Sequence, residues 1–575
     1  MNIEIKSELL KEFIKKTGNQ SKLLAQKAEY SWRNNDRVRV PIDGLRPDDL
    51  AKLQEWLSAK SKSDKSVLGA IRKIATYQNL KADPTGSEVT GLEPLVTALK
   101  NYIVTSQHKW LFSEEADGHL CPYYVDGIEF HPHRAETPAS TRLSMIAINR
   151  GEQSVRHITW HASDLLGKTS KRRNVVKLLQ DEGYFLETPD VVALYCEELA
   201  AYKEVKDQTG EQFVANGLGF SKSGGRWWRS GTVSLERDGV PSKVVVDDRA
   251  GVDEDDEERS SGYGRNRSRK DVVDGRFWKT KNDSEEIQVD EGVENDLTVA
   301  LPVHPYIQVF ELEKHRYTDV HVSNLSAYQY DESMFDKLVL PKDVKDLVHI
   351  LVQGSSENMD DIVKGKTGGT IVIATGPPGT GKTLTAEVFS EAVKRPLYVV
   401  QCSQLGTDES SLEKHLTLVL ARSTRWKAIL LIDEADVYVH ERGADIQQNA
   451  IVGVFLRVLE YYNGILFMTS NRATVIDDAI MSRATAWIQY DVPRGDEQIR
   501  IWRILSEQFG IMIPKETLTE LAREGIRKRG QAVDLTGRNI KNLLKLAKRL
   551  SAATGKPIDF QMLSDVARFL DLGAG

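Results

Sequence analysis

The sequence predicts an α/β domain with a parallel sheet and a helical lid in residues 335–575, preceded by a helical segment and a mainly β region. After Pro341, apolar β-branched runs alternate with helical stretches, which is typical of a parallel sheet buried on both faces. A glycine-rich stretch at 376–383 follows one such run, and another run ends in two acids, Asp433 and Glu434. The 575 residues are enough for about three or four domains.

Composition excludes several classes of protein. The chain has 84 Asp and Glu against 77 Lys and Arg, a formal charge of -7, and is 28% charged and 40% hydrophobic. These values are ordinary for soluble globular proteins, so wholesale disorder, a collagen-like chain and a membrane bundle are excluded. The near-balanced charge also argues against polyanion binding along the whole chain.

Cysteine usage and hydropathy predict an intracellular, cytoplasmic protein. Cys121, Cys196 and Cys402 lie too far apart in sequence to build a disulfide framework, which fits a reducing compartment. The first ten residues include acids and no unbroken apolar core, unlike a signal or transit peptide. No window approaches the roughly 20 apolar residues that span a bilayer, so we expect no membrane partner.

Residues 1–102 are predicted to form a small helical opening segment. Apolar side chains recur there at helical spacing. They are Leu9, Leu10, Phe13 and Ile14 in the first stretch, and Leu53, Leu57, Leu68, Ile71 and Ile74 in the second.

Residues 103–334 are predicted to be mainly β. Short apolar alternations broken by Gly, Pro and Asp predict strands, for example within 122–130, 143–148, 307–309 and 320–322. One helical insert is expected from about Thr188 to Lys203. The stretch 247–270 is an acidic block followed by Ser, Gly and Arg. It predicts a disordered, solvated loop, with an acidic docking segment as the alternative.

The last part of the chain divides into a sheet subdomain, 335–493, and a helical lid, 494–575. Candidate strands are residues 370–375, 397–402, 428–432, 465–469 and 486–490. The lid carries one apolar helical stripe, made of Ile540, Leu543, Leu544, Ala547 and Leu550.

A glycine-rich segment between a strand pattern and a helical pattern is the strongest functional signal. It reads Gly376-Pro377-Pro378-Gly379-Thr380-Gly381-Lys382-Thr383, with Leu384 starting the helical stretch. This context favours a phosphate-binding loop over an ordinary turn, because glycines let backbone N–H groups face the phosphates at the positive end of a helix. Lys382 is expected on the β- and γ-phosphates and Thr383 on Mg²⁺, so ATP and Mg²⁺ are the predicted ligands.

The apolar run Ile429-Leu-Leu-Ile432 ends in Asp433 and Glu434, about 50 residues after the glycine-rich segment. Asp433 is predicted to bind Mg²⁺ through its water shell, and Glu434 to orient and polarise the attacking water. Two adjacent acids alone also fit a solvated strand end. The phosphate-binding loop favours the catalytic interpretation.

Together these motifs resemble the AAA family of ring-forming ATPases. The resemblance rests on the glycine-rich segment, on Asp433-Glu434-Ala435-Asp436 and on Thr469-Ser470-Asn471-Arg472, and it extends from about Lys337 to the C-terminus. The segment 433–482 is most similar to multidomain fungal and bacterial AAA proteins with an uncharacterised N-terminal region. The resemblance implies a P-loop NTPase fold with a parallel sheet plus lid, and a homo-oligomeric ring, most often a hexamer.

The resemblance also assigns roles to three further residues. Asn471 aligns with the sensor that hydrogen-bonds the γ-phosphate or the water. Arg483, in Ile480-Met-Ser-Arg483, aligns with the arginine finger that reaches a neighbouring subunit's nucleotide, although an ordinary surface arginine is the alternative. Arg538, which begins a lid helix, aligns with a second sensor that touches the nucleotide, with an exposed first-turn arginine as the alternative. Arg472 remains a secondary candidate, as finger or structural ion pair.

Two departures from the family pattern bear on mechanism. Rings that thread protein usually carry an aromatic-apolar-Gly loop, but residues 402–408 read Cys-Ser-Gln-Leu-Gly-Thr-Asp, with no aromatic side chain. The family's stretch with two candidate fingers is shortened to Met481-Ser482-Arg483. Threading is therefore in doubt, whereas ATP hydrolysis is still predicted.

Two weaker signals lie in the first half of the chain. His119, Cys121, His131 and His133 could in principle form a zinc site, but no Cys-x-x-Cys pair frames them, and solvent-facing or core histidines are the favoured interpretation. Trp227 and Trp228, among Lys222, Arg226 and Arg229, resemble a stacking platform for a nucleic-acid strand, but an ordinary pair of one buried and one exposed strand residue is the favoured interpretation.

The predicted function is a Mg²⁺-dependent ATPase that remodels an unknown protein partner, with the N-terminal half as adaptor. A nucleic-acid-associated motor, using Trp227 and the basic run at 265–270, is one alternative. A slow ATP-dependent assembly switch is another.

Overall fold

The computed structural model describes most of the chain. The described residues are 2–17, 37–42, 45–60, 89–115, 117–133, 137–149, 152–165, 173–222, 233–238, 240–247, 301–353, 369–406, 408–441, 446–471, 476–528 and 531–569, with isolated positions 24, 67, 70, 71, 74, 75 and 78. They form two compact units. The first comprises Met1–Gln208, Phe213–Glu311 and His315–Ser326, and the second comprises Thr209–Gln212, Leu312–Lys314 and Ala327–Gly575.

The N-terminal segment contains a two-stranded antiparallel sheet that the prediction of an all-helical segment misses. Strands β1 (Asn2–Lys6) and β2 (Arg37–Pro41) pair with Ile3 opposite Val40. They stand with helices α1 (Ser7–Thr17) and α2 (Pro47–Lys60) around one core, in which Phe13 and Leu53 are fully buried. The all-helical prediction is wrong here because each strand offers only two or three alternating apolar residues, too few to be told from a helical turn.

The remainder of the first unit is mainly β, as predicted. A six-stranded sheet has the order β12-β5-β4-β3-β7 with β6 paired to β5, and a seven-stranded sheet has the order β10-β9-β14-β13-β11-β8-β15. The strands are β3 Trp110–Glu114, β4 Leu120–His131, β5 Ser140–Asn149, β6 Glu152–His161, β7 Tyr184–Leu186, β8 Gln212–Ala215, β9 Leu218–Lys222, β10 Val233–Asp238, β11 Ser242–Val246, β12 Val303–His304, β13 Tyr306–Glu311, β14 Arg316–His321 and β15 Leu325–Ala327.

Helices accompany these sheets at three places along the chain. They are α3 (Leu92–Val104), α4 (Val175–Asp181) and α5 (Pro189–Lys206). Helix α5 is the predicted helical insert. It begins after Thr188, whose hydroxyl accepts a hydrogen bond from the N–H of Val191 and so caps the helix.

The first residue of the predicted acidic loop is buried. Asp247 is 0% exposed; its N–H donates to the carbonyl of Gln308, and its carboxylate accepts from the hydroxyl of Tyr317 at 3.1 Å. These two bonds explain the departure from the prediction, since a buried carboxylate needs hydrogen-bond donors. Residues 248–270 lie outside the described residues.

The second unit contains the predicted parallel sheet, in the order β17-β18-β19-β16-β20. Its strands are β16 Thr370–Thr375, β17 Leu397–Gln401, β18 Ile429–Asp433, β19 Ile465–Ser470 and β20 Ala486–Gln489, so all five predicted strands are confirmed within a residue or two. Each pairing is parallel, so the carboxyl ends of the strands meet at one edge.

Helices precede the first of these strands and lie between the others in the chain. They are α6 Met334–Lys337, α7 Lys342–Gln353, α8 Lys382–Ala392, α9 Cys402–Leu405, α10 Glu409–Arg425, α11 Asp436–Val439, α12 Ile446–Leu459 and α13 Asp478–Met481.

The C-terminal part is helical, as predicted, apart from a short pairing of β21 (Arg527–Lys528) with β22 (Gln531–Ala532). Its helices are α14 Gly495–Gln508, α15 Lys515–Glu524, α16 Gly537–Thr554 and α17 Phe560–Ala567. The first four residues of the predicted stripe on α16 are fully buried. Leu550 is 39% exposed, because the stripe leaves the core in the last turn of the helix.

No described helix is both long enough and apolar enough to cross a membrane.

Candidate ATPase site

The predicted phosphate-binding loop connects the carboxyl end of β16 to the first turn of α8. Gly376, Gly379 and Gly381 have φ angles of 143°, 81° and 106°, which L side chains rarely adopt. A Cβ at Gly376 would also lie 2.1 Å from the carbonyl oxygen of Tyr490. Backbone conformation therefore favours glycine at all three positions, and packing also requires it at Gly376.

Lys382, the first residue of α8, folds its side chain back across the loop. Its Nζ donates to the carbonyl oxygens of Gly376 at 2.7 Å and Pro377 at 2.8 Å, and to Oδ1 of Asn471 at 3.0 Å. Burial lowers the pKa of Lys382, and the negative charges of Asp433 and Asp436 oppose that change. Three neutral oxygens thus hold the ammonium group beside two acids. An anion could take the place of these oxygens.

Thr383 and Asp433 come together from two different elements. The hydroxyl of Thr383 donates to Oδ1 of Asp433 at 3.0 Å, and the hydroxyl of Thr469 donates to the same carboxylate oxygen. Hydroxyl and carboxylate oxygens are the ligands that Mg²⁺ prefers, bound directly or through its waters. The donor set therefore fits the predicted Mg²⁺ site, in which Thr383 and Asp433 would hold the ion.

Glu434 follows β18 in a left-handed conformation, with φ of 55°. Its N–H donates to the hydroxyl of Thr469 at 2.9 Å, which fixes the backbone, while its side chain is exposed. A non-glycine residue in this region costs about 1–2 kcal/mol, and such strain clusters at functional sites. The two neighbouring acids therefore have different surroundings. The carboxylate of Asp433 is half-buried and bonded to two hydroxyls, whereas that of Glu434 is exposed.

Asp436 is a residue of this site whose role the sequence did not reveal. Its Oδ1 accepts from the hydroxyl of Ser470 at 2.6 Å and from the N–H of Asn471 at 3.2 Å. These bonds tie the turn after β18 to the end of β19 and so position Asn471. The only sequence signal was its place in the Asp-Glu-Ala-Asp motif.

Cys402 is a second residue that sequence reasoning did not place here. Its Sγ donates to the carbonyl of Glu434 at 2.9 Å, and the Tyr438 hydroxyl lies within hydrogen-bonding distance of the carbonyls of Cys402 and Gly406. Burial, followed by the charges of nearby acids that include Asp436, raises the pKa of Cys402 to about 12. Cys402 is therefore a thiol that supports the backbone of the turn at Glu434.

The lid touches the phosphate-binding loop. A Cβ at Gly379 would lie 2.8 Å from Cβ of Arg538 and 3.0 Å from Oγ1 of Thr536. Thr536 caps α16 by accepting from the N–H of Asn539, so the N-terminus of α16 lies against the loop. Arg538 is exposed, and its positive charge contributes to the lowered pKa of Lys382.

The remaining predicted nucleotide-binding residues lie on the open side of the loop. Pro377 and Pro378 are exposed, and Leu384 is 44% exposed. The hydroxyl of Thr380 donates to the carbonyl of Pro377 at 2.9 Å and closes the tip of the loop.

Arg483 lies at the end of α13, and its side chain is exposed. Its Nη1 donates to the carbonyl of Ala479 in its own helix at 3.0 Å. Among the described contacts, its guanidinium meets this helix and none of the phosphate-loop residues. Arg472, Trp227, Trp228 and the basic run at 265–270 lie outside the described residues.

The candidate zinc set is not brought together. Cys121 and His131 lie on the same strand, β4, ten residues and so roughly 33 Å apart, because a strand rises about 3.3 Å per residue. These four residues therefore do not form one metal site, in agreement with the favoured interpretation. His119 instead meets residues that are distant in sequence, His321 and Glu198.

Comparison with known proteins identifies the domain. Residues 372–492 match the family described as the ATPase family associated with various cellular activities, AAA. These residues are an AAA domain. The match covers the phosphate-binding loop, both acids at the end of β18, Asn471 and Arg483, so the AAA domain of this chain carries an ATP-binding site.

Curated relatives match over about a third of the chain. One is a putative 26S proteasome regulatory subunit homolog of Methanothermobacter thermautotrophicus, 26% identical over 190 residues, covering 31% of this chain and 48% of the relative. Another is the ATP-dependent zinc metalloprotease FtsH of Cyanidium caldarium, 26% identical over 198 residues, covering 32% of this chain and 31% of the relative. The chain thus spans about half or less of these relatives.

One solved structure is also similar. A chain of the E. coli MS115-1 HORMA:CdnC:Trip13 complex has 18% identity and a TM-score of 0.34, with 42% of this chain and 93% of that chain covered. A likeness this weak bears on neither fold nor function.

Proposed function

We propose that this AAA protein is a Mg²⁺-dependent ATP hydrolase that works in an oligomeric ring and remodels a protein partner. One observation carries the proposal: Lys382, Thr383, Asp433 and Asn471 join through hydrogen bonds at the carboxyl edge of the sheet. An ATPase of this class needs a cation, two oxygen donors and a polar sensor around one phosphate chain.

Each residue then has a defined task. The Lys382 ammonium exchanges its carbonyl partners for oxygens of the β- and γ-phosphates, while Thr383 and Asp433 hold Mg²⁺, which neutralises charge developing on the phosphates. The exposed Glu434 carboxylate orients the attacking water and accepts its proton. Asn471, released from Lys382, contacts the γ-phosphate or the water. Arg538 adds positive charge from the lid.

The position of Arg483 supports the proposed oligomer. Its guanidinium is exposed and contacts its own helix, so it is available to a neighbouring subunit. A contact in which one subunit's arginine completes the next subunit's site is heterologous, and repeating it about an axis closes a ring. Family resemblance favours a hexamer.

The names of the relatives favour a protein partner over nucleic acid. The relatives' names refer to a proteasome regulatory subunit and to an ATP-dependent metalloprotease, both concerned with proteins. Within the second unit, the buried Glu391 near the end of α8 accepts from the Tyr328 hydroxyl at 2.6 Å and from the N–H of Asp331 at 3.0 Å. This contact couples the helix behind the phosphate loop to the preceding chain, a route for transmitting nucleotide state.

A slow assembly switch is the second candidate. The observation that favours it is the segment after β17, where Tyr438 braces Cys402 and Gly406 and no aromatic side chain stands at 402–406 to grip a substrate. In that case turnover would remain slow with every partner, and nucleotide occupancy would set the oligomeric state.

ATP binding and hydrolysis by the full chain test the proposal. Wild type should bind ATP, whereas Lys382→Ala should bind it about tenfold to hundredfold more weakly, because one or two charge-assisted hydrogen bonds are lost. Lys545→Ala, an exposed lysine on α16, is the matched control and should bind like wild type. Equal ATP binding by wild type, Lys382→Ala and Lys545→Ala would overturn the proposed nucleotide site.

The partner class is tested by stimulation of turnover. Unfolded or partner protein should raise the rate. A rise with DNA instead, lost steeply with salt, would replace the protein partner with nucleic acid. A slow rate with every additive, together with ATP-dependent assembly, would favour the switch.

A further inference from the structure

Three metal-ligating side chains converge in the first unit, far from the ATPase motifs in sequence. His119 precedes β4, Glu198 lies on α5 and His321 ends β14. One ligand atom from each lies within 4.8 Å of the other two. The cluster thus joins three separate elements of the β region, and the ATPase mechanism uses none of its members.

The histidine rings are in direct contact. The rings of His119 and His321 stack with centroids 3.6 Å apart and planes inclined by 8°. This contact helps to bring one ring nitrogen of each histidine to the same place. Neutral imidazole is the form that binds a metal ion.

The carboxylate completes the cluster. Oε2 of Glu198 lies 3.7 Å from Nε2 of His321, whose side chain is 0% exposed, and the Glu198 side chain is 14% exposed. Two ligand atoms bound about 2.0–2.1 Å from one tetrahedral Zn²⁺ lie about 3.3 Å apart. The separation between His321 and Glu198 exceeds that value by about 0.4 Å, and no pair of ligand atoms exceeds it by more than about 1.5 Å.

Neighbouring polar groups orient both rings. The Ser323 hydroxyl lies 2.8 Å from Nδ1 of His321, an arrangement that directs Nε2 toward Glu198. The Asn324 side chain lies 3.3 Å from Nε2 of His119. Such outer contacts fix the tautomer and direction of ligating histidines.

The surrounding charge is suited to a cation. Asp117, 2% exposed, accepts from the N–H of His119 at 3.2 Å and from the hydroxyl of Tyr306 at 2.8 Å. The ring of Tyr306 in turn packs edge-on against His321, with centroids 5.2 Å apart. A buried carboxylate thus contacts the backbone of His119 beside the cluster.

We propose that His119, Glu198 and His321 bind a divalent transition-metal cation of the Zn²⁺ class. Two imidazoles and one carboxylate suit Zn²⁺ and its neighbours in the first transition row, and water can supply the fourth position. The bound ion would fasten α5 to the ends of β4 and β14 and so stabilise the β region.

Zn²⁺ binding by the full-length protein tests the site. After removal of metal with a chelator, the protein is titrated with Zn²⁺ in excess Mg²⁺, with elemental analysis and competition against a chromophoric chelator as readouts. Wild type should retain one Zn²⁺ per chain and melt at higher temperature with it. Glu198→Gln and His321→Gln should bind at least about tenfold more weakly. A double variant, His131→Gln with His133→Gln, is the matched control and should bind like wild type.

Cobalt substitution tests the ligand set. Co²⁺ should give visible d–d bands without a thiolate charge-transfer band, since the proposed ligands are nitrogen and oxygen. A thiolate band would overturn the set by adding Cys121. Equal Zn²⁺ affinity in wild type and Glu198→Gln would overturn the site itself. Glu198→Gln preserves the shape of the side chain. If His321→Gln fails to fold, the Zn²⁺ affinity of Glu198→Gln alone therefore tests the site.

Discussion

Lys382 donates a hydrogen bond from its Nζ to Oδ1 of Asn471, 3.0 Å away and 89 positions later in the chain. The bond joins the first turn of α8, which follows β16, to the residue after β19. Strands β16 and β19 are neighbours in the sheet. In the proposed function, a bound nucleotide would replace this bond, because the same ammonium would contact the phosphates. Release of Asn471 is then linked directly to occupancy of the site.

Asn471→Ala should lower turnover more than ATP binding. Loss of the amide removes a polar contact to the γ-phosphate or water, which costs about 10²-fold in kcat by analogy with single positioning donors, while Lys382 stays available for the phosphates. Steady-state kinetics and equilibrium ATP binding separate the two effects. Asn542→Ala, an exposed residue on α16, is the control. Unchanged kcat in Asn471→Ala would remove the sensor role.

Glu434→Gln should bind ATP normally and hydrolyse it at least about 10²-fold more slowly, because the amide cannot accept the proton of the attacking water. Single-turnover measurements with bound ATP test this expectation. Glu520→Gln, at an exposed position of α15, should behave like wild type. Wild-type turnover in Glu434→Gln would assign water activation to another group.

Arg483→Ala should be nearly inactive alone and should recover activity when mixed with Lys382→Ala. In a random one-to-one mixture, about a quarter of the sites combine an intact Lys382 with an intact neighbouring Arg483, so about a quarter of wild-type activity is expected. Arg523→Ala, whose side chain is 82% exposed, is the control. Full activity of Arg483→Ala by itself would exclude the finger.

Cys402 should resist alkylation at pH 8. Its pKa is raised to about 12, so the reactive thiolate forms only as the pH rises toward that value. At pH 8 the thiolate is about one part in ten thousand. Iodoacetamide labelling followed by peptide mass spectrometry should modify the exposed Cys196 first, with buried Cys121 also protected. Labelling of Cys402 as fast as Cys196 would contradict its placement under the turn at Glu434.

The local features of the ATPase site could be predicted from the sequence. Glycines at 376, 379 and 381 specify backbone angles that other residues avoid, and the apolar run before Asp433 specifies a buried strand. The predicted strand ends lie at one edge of the sheet because parallel strands share a direction. Cys402 and the bracing role of Asp436 carried no such local signature.

The sequence by itself determined the strand–loop–helix geometry around Lys382, because φ restrictions and apolar periodicity act between residues that are close along the chain. Only the tertiary structure decided that His119 meets Glu198 and His321, and that Asp247 is buried. Those outcomes depend on which strands pair and in which register. Register is set by the summed packing of a whole sheet, which no short stretch of sequence contains.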